Sequence, residues 1–333
     1  MSSPSSDHSS TVHPPPYVVD DCRGVLQVYS DGSIVRSSKP SFNVPVHDDG
    51  SVLWKDVVFE PTHNLQLRLY KPADSSSSSK LPIFYYIHGG GFCIGSFTWP
   101  NFHNYCLRLS SELRAVVIAP DYRLAPENRL PAAMDDAFAA VKWLQAQATS
   151  NDPDPWLTEV ADFDRVFISG DSAGGNLAHY LAVRLGRGSP EMAPLRVRGY
   201  LLLAPFFSGN ARTQLEAEGP KDAFLNLELM DRFWRLSVPI GADRDHPLVN
   251  PFGPSSKSLE GIDLDPILVI VGTSDLLRDR CKDYADRLKN WRKNIEYAEF
   301  EGMQHGFFTV DPNSEDANRL MVIIKQFVEK HSF

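Results

Sequence analysis

Continuous apolar runs of strand length recur along the chain and predict buried strands. After residue 80 these runs are LPIFYYI, AVVIAP, RVFISG, VRGYLLLAP, DPILVIVG and NIEYAEF. Runs that are apolar on both faces are typical of a parallel sheet covered by helices. Stretches with helical periodicity lie between them, including FHNYCLRLSSEL, AAMDDAFAAVKWLQAQA and NLAHYLAVRL. This alternation predicts an α/β fold with right-handed crossovers.

Two regions depart from the alternation. In the N-terminal region, RGVLQVYSDGSIVR carries an Asp31-Gly32 turn signal between alternating apolar positions, which predicts a short hairpin. The strands VVFE and LQLRLYKP follow, and the run Ser75–Ser79 predicts a solvated loop. The second region, about 208–264, is longer than a single crossover needs. Its segment NLELMDRFWRL is amphipathic, so we predict a helical insertion there.

These patterns predict one domain with a tail. Residues 1–16 are rich in serine and proline, and we expect them to be disordered. Residues 17–333 are expected to form the single domain. Within it, about 17–49 and about 208–264 are expected to contribute to a cap.

Composition and charge limit the partners. The 333 residues are 42% hydrophobic and 23% charged, as in ordinary globular proteins. A formal net charge of −9 argues against nucleic acid and anionic membrane surfaces, because both bind clustered Lys and Arg. The apolar runs are too short to span a bilayer, and the N-terminus lacks the basic and apolar parts of a secretory signal. We therefore expect a cytoplasmic protein, and nothing in the sequence implies an obligate protein partner.

Cofactors and metals are not expected either. The chain contains no H-E-x-x-H, no P-loop and no G-x-G-x-x-G that opens a βαβ unit. The four scattered cysteines predict free thiols in a reducing compartment: Cys22, Cys93, Cys106 and Cys281.

Candidate chemistry begins at FISGDSAGGN, where Gly170–Gly174 fits G-x-S-x-G between an apolar strand and a helical pattern. A serine on such a turn needs strained backbone angles, and its glycine neighbours let the strand and the helix approach closely. The free N–H groups of the helix start favour negative charge nearby. Ser172 is therefore a candidate nucleophile. The alternative is a glycine-rich turn without chemistry.

A second glycine cluster, YIHGGGF, follows another predicted strand. Consecutive glycines expose backbone N–H groups, and an oxyanion hole needs two or three such donors on one point. We predict donors at Gly90, Gly91 and Ala173, with Gly89 in the same oxyanion hole. The alternative is a flexible linker, which the position directly after a strand disfavours. His88 precedes the serine in the chain, so we expect it to orient this loop rather than act as a base.

The base and the acid follow from chain order, which in this turn-based arrangement is serine, acid, histidine. His305 lies in a loop after the last predicted strand, whereas His331 lies at the frayed C-terminus. Asp275 comes directly after the strand PILVIVG, where sites of such sheets gather. Asp279 is expected on the next helix as an ordinary solvated charge. We therefore predict His305 as the base and Asp275 as the acid.

A substrate pocket is harder to predict, because the same apolar residues can be ordinary core. The candidates for its walls are Phe92, Asp171, Phe206, Phe207, Phe224 and Trp234.

With these motifs assembled, the chain resembles the hormone-sensitive-lipase-like branch of the α/β-hydrolases, in particular the plant carboxylesterases. The matching stretches are HGGGF, DYRLAPENRLPAAMDD, GDSAGGN, GTSDLLRD and HGF, in the family's order from about Val57 to Phe333. The resemblance implies an α/β-hydrolase fold, with a mostly parallel central sheet flanked by helices and a cap. It also implies hydrolysis of small carboxylic esters by a Ser172–His305–Asp275 triad through an acyl-enzyme. The DYRLAPE stretch is expected to shape the loop under the glycines.

The same resemblance leaves other functions open. The plant family includes gibberellin receptors, which lack the catalytic histidine and bind a hormone, whereas this chain retains His305. It also includes dehydratases of isoflavonoid precursors and lactone-forming, tuliposide-converting enzymes. We predict a carboxylesterase with a small-molecule ester as partner. The alternatives are a lyase or dehydratase, a lactone-forming transesterase on a plant metabolite, and a non-catalytic hormone-binding receptor.

Overall fold

The computed structural model describes residues 14–40, 42–75 and 80–333. The chain divides into two compact units, one that ends at Ser41 and one that begins at Phe42. Most of the predicted disordered tail and most of the predicted Ser75–Ser79 loop lie outside the described residues. None of the helices in the described ranges is long and apolar enough to cross a membrane.

The first unit contains a small antiparallel sheet. Its three strands are β1 (Val18–Cys22), β2 (Leu26–Tyr29) and β3 (Ile34–Arg36). The turn between β2 and β3 contains Gly32, whose φ of 83° suits a glycine. Asp31 Oδ1 accepts hydrogen bonds from the backbone N–H and the hydroxyl of Ser33 at 2.9 and 2.6 Å. The hairpin predicted at Asp31-Gly32 is thus confirmed.

The second unit is built on an eight-stranded sheet in the order β11-β10-β9-β8-β6-β7-β5-β4. The strands are β4 (Val52–Glu60), β5 (Leu65–Pro72), β6 (Leu81–Ile87), β7 (Val116–Pro120), β8 (Ala161–Asp171), β9 (Val197–Leu203), β10 (Ile267–Gly272) and β11 (Ile295–Phe300). The strand β5 runs antiparallel to β4 and to β7, and the other neighbours are parallel. This confirms the predicted α/β class and its mostly parallel sheet.

Helices flank the sheet. They are α1 (Pro100–Leu113), α2 (Ala132–Thr149), α3 (Pro155–Val160), α4 (Ala173–Leu185), α5 (Gln214–Glu218), α6 (Leu227–Ser237), α7 (Arg278–Asn290), α8 (Phe307–Val310) and α9 (Glu315–His331). Helix α4 packs on β8 and β9, and α7 packs on β10 and β11. Helix α1 packs on β5 and β7 and contacts α8 and α9. The sheet is therefore covered as the apolar runs predict.

The core lies in the central strands. Every residue of β7 and of β10 is buried, which matches the continuous apolar runs at those positions. Each fully buried Val, Ile or Leu side chain contributes about 1.5–3 kcal/mol relative to an exposed one. The resulting rigid sheet fixes the loops at the carboxyl ends of its parallel strands, where the candidate residues lie.

The segment between β9 and β10, about 208–264, is the predicted insertion. It contains two helices, α5 and α6, and the rest is turns and irregular backbone. Helix α6 is amphipathic as predicted: its buried residues include Leu229, Phe233 and Trp234, whereas Glu228 is exposed. The Phe42 ring meets the Phe224 ring of the insertion edge-on at 5.8 Å. The assignment of 17–333 to one domain, with a cap from about 17–49 and about 208–264, stays a prediction.

Candidate active site

The serine turn, Gly170–Gly174, joins the end of β8 to the start of α4. Ser172 has φ 54° and ψ −117°, an unfavourable conformation for a residue with a side chain, which costs about 1–3 kcal/mol. A Cβ added to Gly170 would lie 2.2 Å from the carbonyl oxygen of Gly174, and one added to Gly174 would lie 2.0 Å from that of Ile87. The two glycines are therefore needed for the strand and the helix to pack this closely.

The backbone around Ser172 is held on both sides. Its N–H donates to the Leu203 carbonyl at 2.8 Å, and its carbonyl accepts from the N–H groups of Phe206 and Asn176 at 2.8 and 3.1 Å. Strand β9 and the residues after it thus fix the turn in its strained form. Strain that persists in an over-determined backbone is typical of functional turns.

The glycine loop, His88–Gly91, follows β6 and packs against the serine turn. A Cβ on Gly89 would lie 3.0 Å from Ser172 Cβ and 2.3 Å from Asp171 Oδ2. Gly90 and Gly91 have φ of 120° and 60°. A Cβ on Gly91 would lie 2.3 Å from the Phe233 ring of the insertion. The loop is enclosed between the turn and the insertion, which excludes the flexible-linker alternative.

The structure corrects one predicted oxyanion residue. The Gly89 N–H donates to Asp171 Oδ1 at 2.9 Å, so this amide is already bonded to a carboxylate. It is not free to meet a substrate oxygen. Gly90, Gly91 and Ala173 stay predicted donors. Ala173 is the first residue of α4, where backbone N–H groups have no partner within the helix.

His88 supports the glycine loop, as predicted. It is buried, its Nδ1 lies 2.8 Å from the Gly89 carbonyl oxygen, and its ring stacks on Tyr122 at 4.5 Å. The Tyr122 hydroxyl donates to the His88 carbonyl at 3.0 Å. Asp121 Oδ1 accepts from the Phe97 N–H at 2.8 Å, farther along the same segment. The DYRLAPE stretch therefore shapes the loop, as the resemblance implied.

The predicted acid and base meet. Asp275 lies in the turn after β10, and His305 lies in the loop after β11. His305 Nδ1 donates to Asp275 Oδ2 at 2.7 Å, and the two side chains are 9% and 1% exposed. The second carboxylate oxygen, Oδ1, accepts from the Leu277 N–H at 3.0 Å. This pairing holds the imidazole in the tautomer whose Nε2 can accept a proton.

Burial and charge act in opposite directions on His305. Burial lowers its pKa, but the hydrogen-bonded carboxylate of Asp275 raises it, and Asp171 raises it further, so the net pKa is raised. The electrostatic interaction with Asp171 also connects His305 to the serine turn, because Asp171 directly precedes Ser172.

Among the described residues, no hydrogen bond joins the Ser172 hydroxyl to His305. In enzymes without substrate this bond is often long and tightens when substrate binds.

The rejected alternatives lie elsewhere. Asp279 is on α7, where its Oδ2 accepts from the Leu215 N–H of the insertion at 2.9 Å. It is on the helix as predicted but is partly buried and structural, which corrects its interpretation as a solvated charge. His331 is the last residue of α9, and its Nε2 lies 3.4 Å from Glu296 Oε1.

Three of the predicted pocket residues form one aromatic cluster. The rings of Phe206 and Trp234 stack at 3.8 Å, and Phe92 lies 6.3 and 6.1 Å from them. All three side chains are fully buried. The Phe206 N–H binds the Ser172 carbonyl, so the cluster adjoins the serine turn. It packs as core next to the site.

The other three candidates are dispersed. Phe207 packs against Tyr284 at 5.0 Å and belongs to a different cluster. Phe224 is half-buried, and its N–H donates to Gln304 Oε1 at 3.1 Å, next to His305. Asp171 is buried in the glycine-loop contact. It therefore supports the loop, and its place in a substrate pocket stays a prediction.

Sequence reasoning missed two residues that adjoin these loops. Phe233 packs on Gly91, and its place on the apolar face of an amphipathic helix was the available signal. The Tyr86 hydroxyl donates a hydrogen bond to Asp171 Oδ1 at 2.6 Å, and nothing in the sequence pattern distinguished Tyr86 from the other residues of β6.

Within residues 14–40, 42–75 and 80–333, no group of three or more His, Cys, Asp or Glu side chains could hold a metal ion.

Comparison with known proteins places this geometry in a family. A family model described as the alpha/beta hydrolase fold matches residues 84–309, which include the serine turn, Asp275 and His305. Probable carboxylesterase 6 of Arabidopsis thaliana is 39% identical over 305 residues, covering 90% of this chain and 87% of that protein.

Two further matches are informative. Tuliposide A-converting enzyme 1, a chloroplastic protein of Tulipa gesneriana, is 33% identical over 329 residues, covering 96% of this chain and 82% of its own. Among solved structures, an esterase of Pyrobaculum calidifontis superposes with a TM-score of 0.70 at 29% identity, covering 86% of each chain. The similarity thus extends over most of the chain in sequence and in fold.

Proposed function

Because this chain belongs to the α/β hydrolases, in the branch of the plant carboxylesterases, we propose that it is a serine esterase for small carboxylic esters. Ser172 Oγ attacks the ester carbonyl carbon while His305 Nε2 takes its proton. Asp275 keeps the imidazole oriented and stabilises the imidazolium that forms. The imidazolium then protonates the leaving alcohol, and an acyl-serine remains.

The second half of the reaction uses the same groups. His305 takes a proton from water, the hydroxide oxygen bonds to the acyl carbon, and the carboxylic acid leaves as Ser172 Oγ regains its proton. We propose that the N–H groups of Gly90, Gly91 and Ala173 stabilise the negative oxygen of both tetrahedral intermediates. One such donor is worth about 10²–10³ in rate.

The observation that carries this proposal is the buried, 2.7 Å hydrogen bond between His305 and Asp275. Both residues lie past the carboxyl ends of their strands, as Ser172 does. A receptor that only binds a ligand does not need an oriented base. A neutral imidazole with a raised pKa favours proton transfer near neutral pH.

The test is release of nitrophenol from p-nitrophenyl butyrate by the wild type and Ser172→Ala. We expect measurable turnover that falls by about 10⁶-fold, to background, in Ser172→Ala. Ser169→Ala is the matched control, because Ser169 is buried on the same strand and its hydroxyl has no hydrogen-bond partner. It should keep wild-type activity. A folded wild-type protein without turnover would overturn the proposal.

One specific observation favours a second candidate. The tulip relative, which spans 96% of this chain at 33% identity, is named for converting tuliposide A. An internal hydroxyl of the substrate, in place of water, would then attack the acyl-serine and release a lactone. Mass spectrometry of products from a hydroxyacyl ester distinguishes the two: a free acid supports hydrolysis, and a product lighter by one water supports lactone formation.

We also propose a cytoplasmic location. The tulip relative, in contrast, is named as chloroplastic. Fractionation of cells that express the full chain with a C-terminal tag tests this, and recovery in plastids would contradict it.

A further inference from the structure

Asp171 is a buried carboxylate to which the reaction assigns no role. It is the last residue of β8, directly before Ser172, and only 7% of it is exposed. Its Oδ1 accepts two hydrogen bonds, from the Tyr86 hydroxyl at 2.6 Å and from the Gly89 N–H at 2.9 Å. The carboxylate therefore bonds to both the end of β6 and the glycine loop that follows it.

In the part of the chain that the structure describes, no lysine or arginine pairs with Asp171. The positive charges that act on this carboxylate are those of His305 and His88, which lower its pKa. The titratable groups around it are Tyr86, His88, Tyr105, Cys106, Tyr122 and His305. Burial raises the pKa of Asp171, and the hydrogen bond from Tyr86 opposes that rise. A buried acid without a lysine or arginine partner is costly, and such groups cluster at functional sites.

We propose that Asp171 is a positioning residue for the reaction: its carboxylate fixes the glycine loop against the serine turn, so that Gly90 and Gly91 present their N–H groups to the substrate oxygen. This inference rests on the proposed esterase function and adds to it.

Two contacts support the positioning role. A Cβ on Gly89 would lie 2.3 Å from Asp171 Oδ2, so the loop is in direct contact with the carboxylate. The Gly89 N–H belongs to the peptide directly before the one that carries the Gly90 N–H, so its hydrogen bond to Asp171 holds the loop next to the predicted donor. A hydrogen bond to a carboxylate oxygen is shorter and stronger than a hydrogen bond between neutral groups.

On the opposite side of the loop, Gly91 packs on the Phe233 ring and the Gly90 carbonyl accepts from the N–H groups of Cys93 and Ile94 at 3.0 Å. There the Phe233 ring lies against the glycine, in van der Waals contact that fixes no peptide orientation. Asp171 is thus the side chain of the serine turn that holds the loop through a hydrogen bond, while His88 Nδ1 lies 2.8 Å from the Gly89 carbonyl oxygen. An oxyanion hole tolerates little displacement, because its donors must lie about 2.7–3.1 Å from the developing charge.

The experiment compares Asp171→Ala with Asp171→Asn, using p-nitrophenyl butyrate and the boronic acid inhibitor 1-butaneboronic acid. Asp171→Ala removes the acceptor of the Gly89 N–H. We expect kcat to fall by about 10²–10³ with KM changed less than about threefold, and the inhibition constant of the boronic acid to rise in parallel. Asp171→Asn keeps an oxygen at the acceptor position and should recover at least about tenfold of the lost kcat.

A second pair of variants keeps the inference testable should Asp171→Ala fail to fold. Tyr86→Phe removes one of the two donors to Asp171, and we expect kcat to fall by about tenfold through a less restrained carboxylate. Tyr105→Phe is its control: the two rings lie 5.0 Å apart, and the buried Tyr105 hydroxyl has no hydrogen-bond partner. Its loss should leave kcat unchanged and stability equal or higher.

The outcomes separate this inference from the proposed function. A wild type without turnover refutes the esterase proposal itself. An active wild type combined with a folded Asp171→Ala of normal kcat and normal boronic acid affinity refutes the positioning role alone. Equal losses in Asp171→Ala and Asp171→Asn, or in Tyr86→Phe and Tyr105→Phe, would also overturn it, because they would not depend on the acceptor.

Discussion

In the serine turn, a methyl group added to Gly174 would lie 2.0 Å from a backbone oxygen, whereas one added to Gly261 in the insertion would meet nothing within 4 Å. The turn and the glycine loop are fixed by backbone packed on backbone. Glycine is the only residue that allows such approach, so the geometry of this region is encoded at the positions where it occurs.

The insertion is joined to α7 by contacts of another kind. Arg280 of α7 binds the carboxylate of Glu216, which is 2% exposed, and the carbonyl of Ala211. Asp279 accepts the Leu215 N–H at 2.9 Å. These partners are 64 residues or more apart in the sequence. Side-chain charge, placed by the rest of the fold, therefore anchors the insertion to α7.

The prediction with the largest expected effect tests whether the catalytic acid is Asp275 and not Asp279, which binds the insertion. Asp275→Asn keeps the size of the side chain but favours the wrong imidazole tautomer, and we expect kcat to fall by about 10⁴. Steady-state hydrolysis of p-nitrophenyl butyrate measures it. Asp279→Asn, four residues later, is the control and should change kcat by less than about tenfold. The reverse result would move the acid to the anchor of the insertion.

The same variant has a second readout in the pH profile. The reaction needs neutral His305, so kcat/KM falls as the pH drops through the pKa of that residue. The net pKa is raised, which places the acid limb of the wild type above 6.5, the ordinary value. Asp275→Asn removes the negative charge that opposes the effect of burial on His305. The pKa of His305 should therefore fall, and the acid limb should move to lower pH. An unmoved limb would contradict the assignment of Asp275.

The next effect compares two glycines. Gly174→Ala places a methyl group on the Ile87 carbonyl, which cannot move because it ends a central strand, so we expect a loss of about 3 kcal/mol or more in the free energy of unfolding. Gly261→Ala should change it by less than about 0.5 kcal/mol. Urea denaturation followed by circular dichroism measures both. Equal stabilities of the two variants would show that steric packing does not distinguish the regions.

Sequence patterns predicted the first region well because its determinants are local. The apolar runs of β6, β8 and β10 predicted the buried strands, and the glycines after them marked the turns. Gly89 was assigned wrongly because its hydrogen bond to Asp171 connects residues 82 positions apart, which no local pattern expresses. The pairing of His305 with Asp275 was predictable, since it follows from the order of the serine, the acid and the histidine along the chain.

The insertion was predicted less completely for the corresponding reason. The amphipathic period of α6 was visible in the sequence, but α5 is only five residues long and depends on a capping box at Thr213. The partners of Arg280 and Asp279 lie in distant elements, so Asp279 looked like a solvated charge. The stacking of Phe206 on Trp234 likewise depends on the tertiary fold.

The prediction with the smallest expected effect tests the ion pair of Glu216 with Arg280, which joins the insertion to α7. Glu216→Gln removes the charge that Arg280 binds, while Arg280 keeps the Ala211 carbonyl as an acceptor. We expect a loss of about 2 kcal/mol in the free energy of unfolding, the value of a hydrogen bond to a charged group. Glu218→Gln is the matched control on the same helix, where Glu218 is exposed and its loss should cost less than about 0.5 kcal/mol. Since Glu216 does not contact Ser172 or His305, kcat of the folded Glu216→Gln protein should stay within about threefold of wild type. A kcat loss as large as that of Asp275→Asn would mean that the insertion and the serine turn act as one unit.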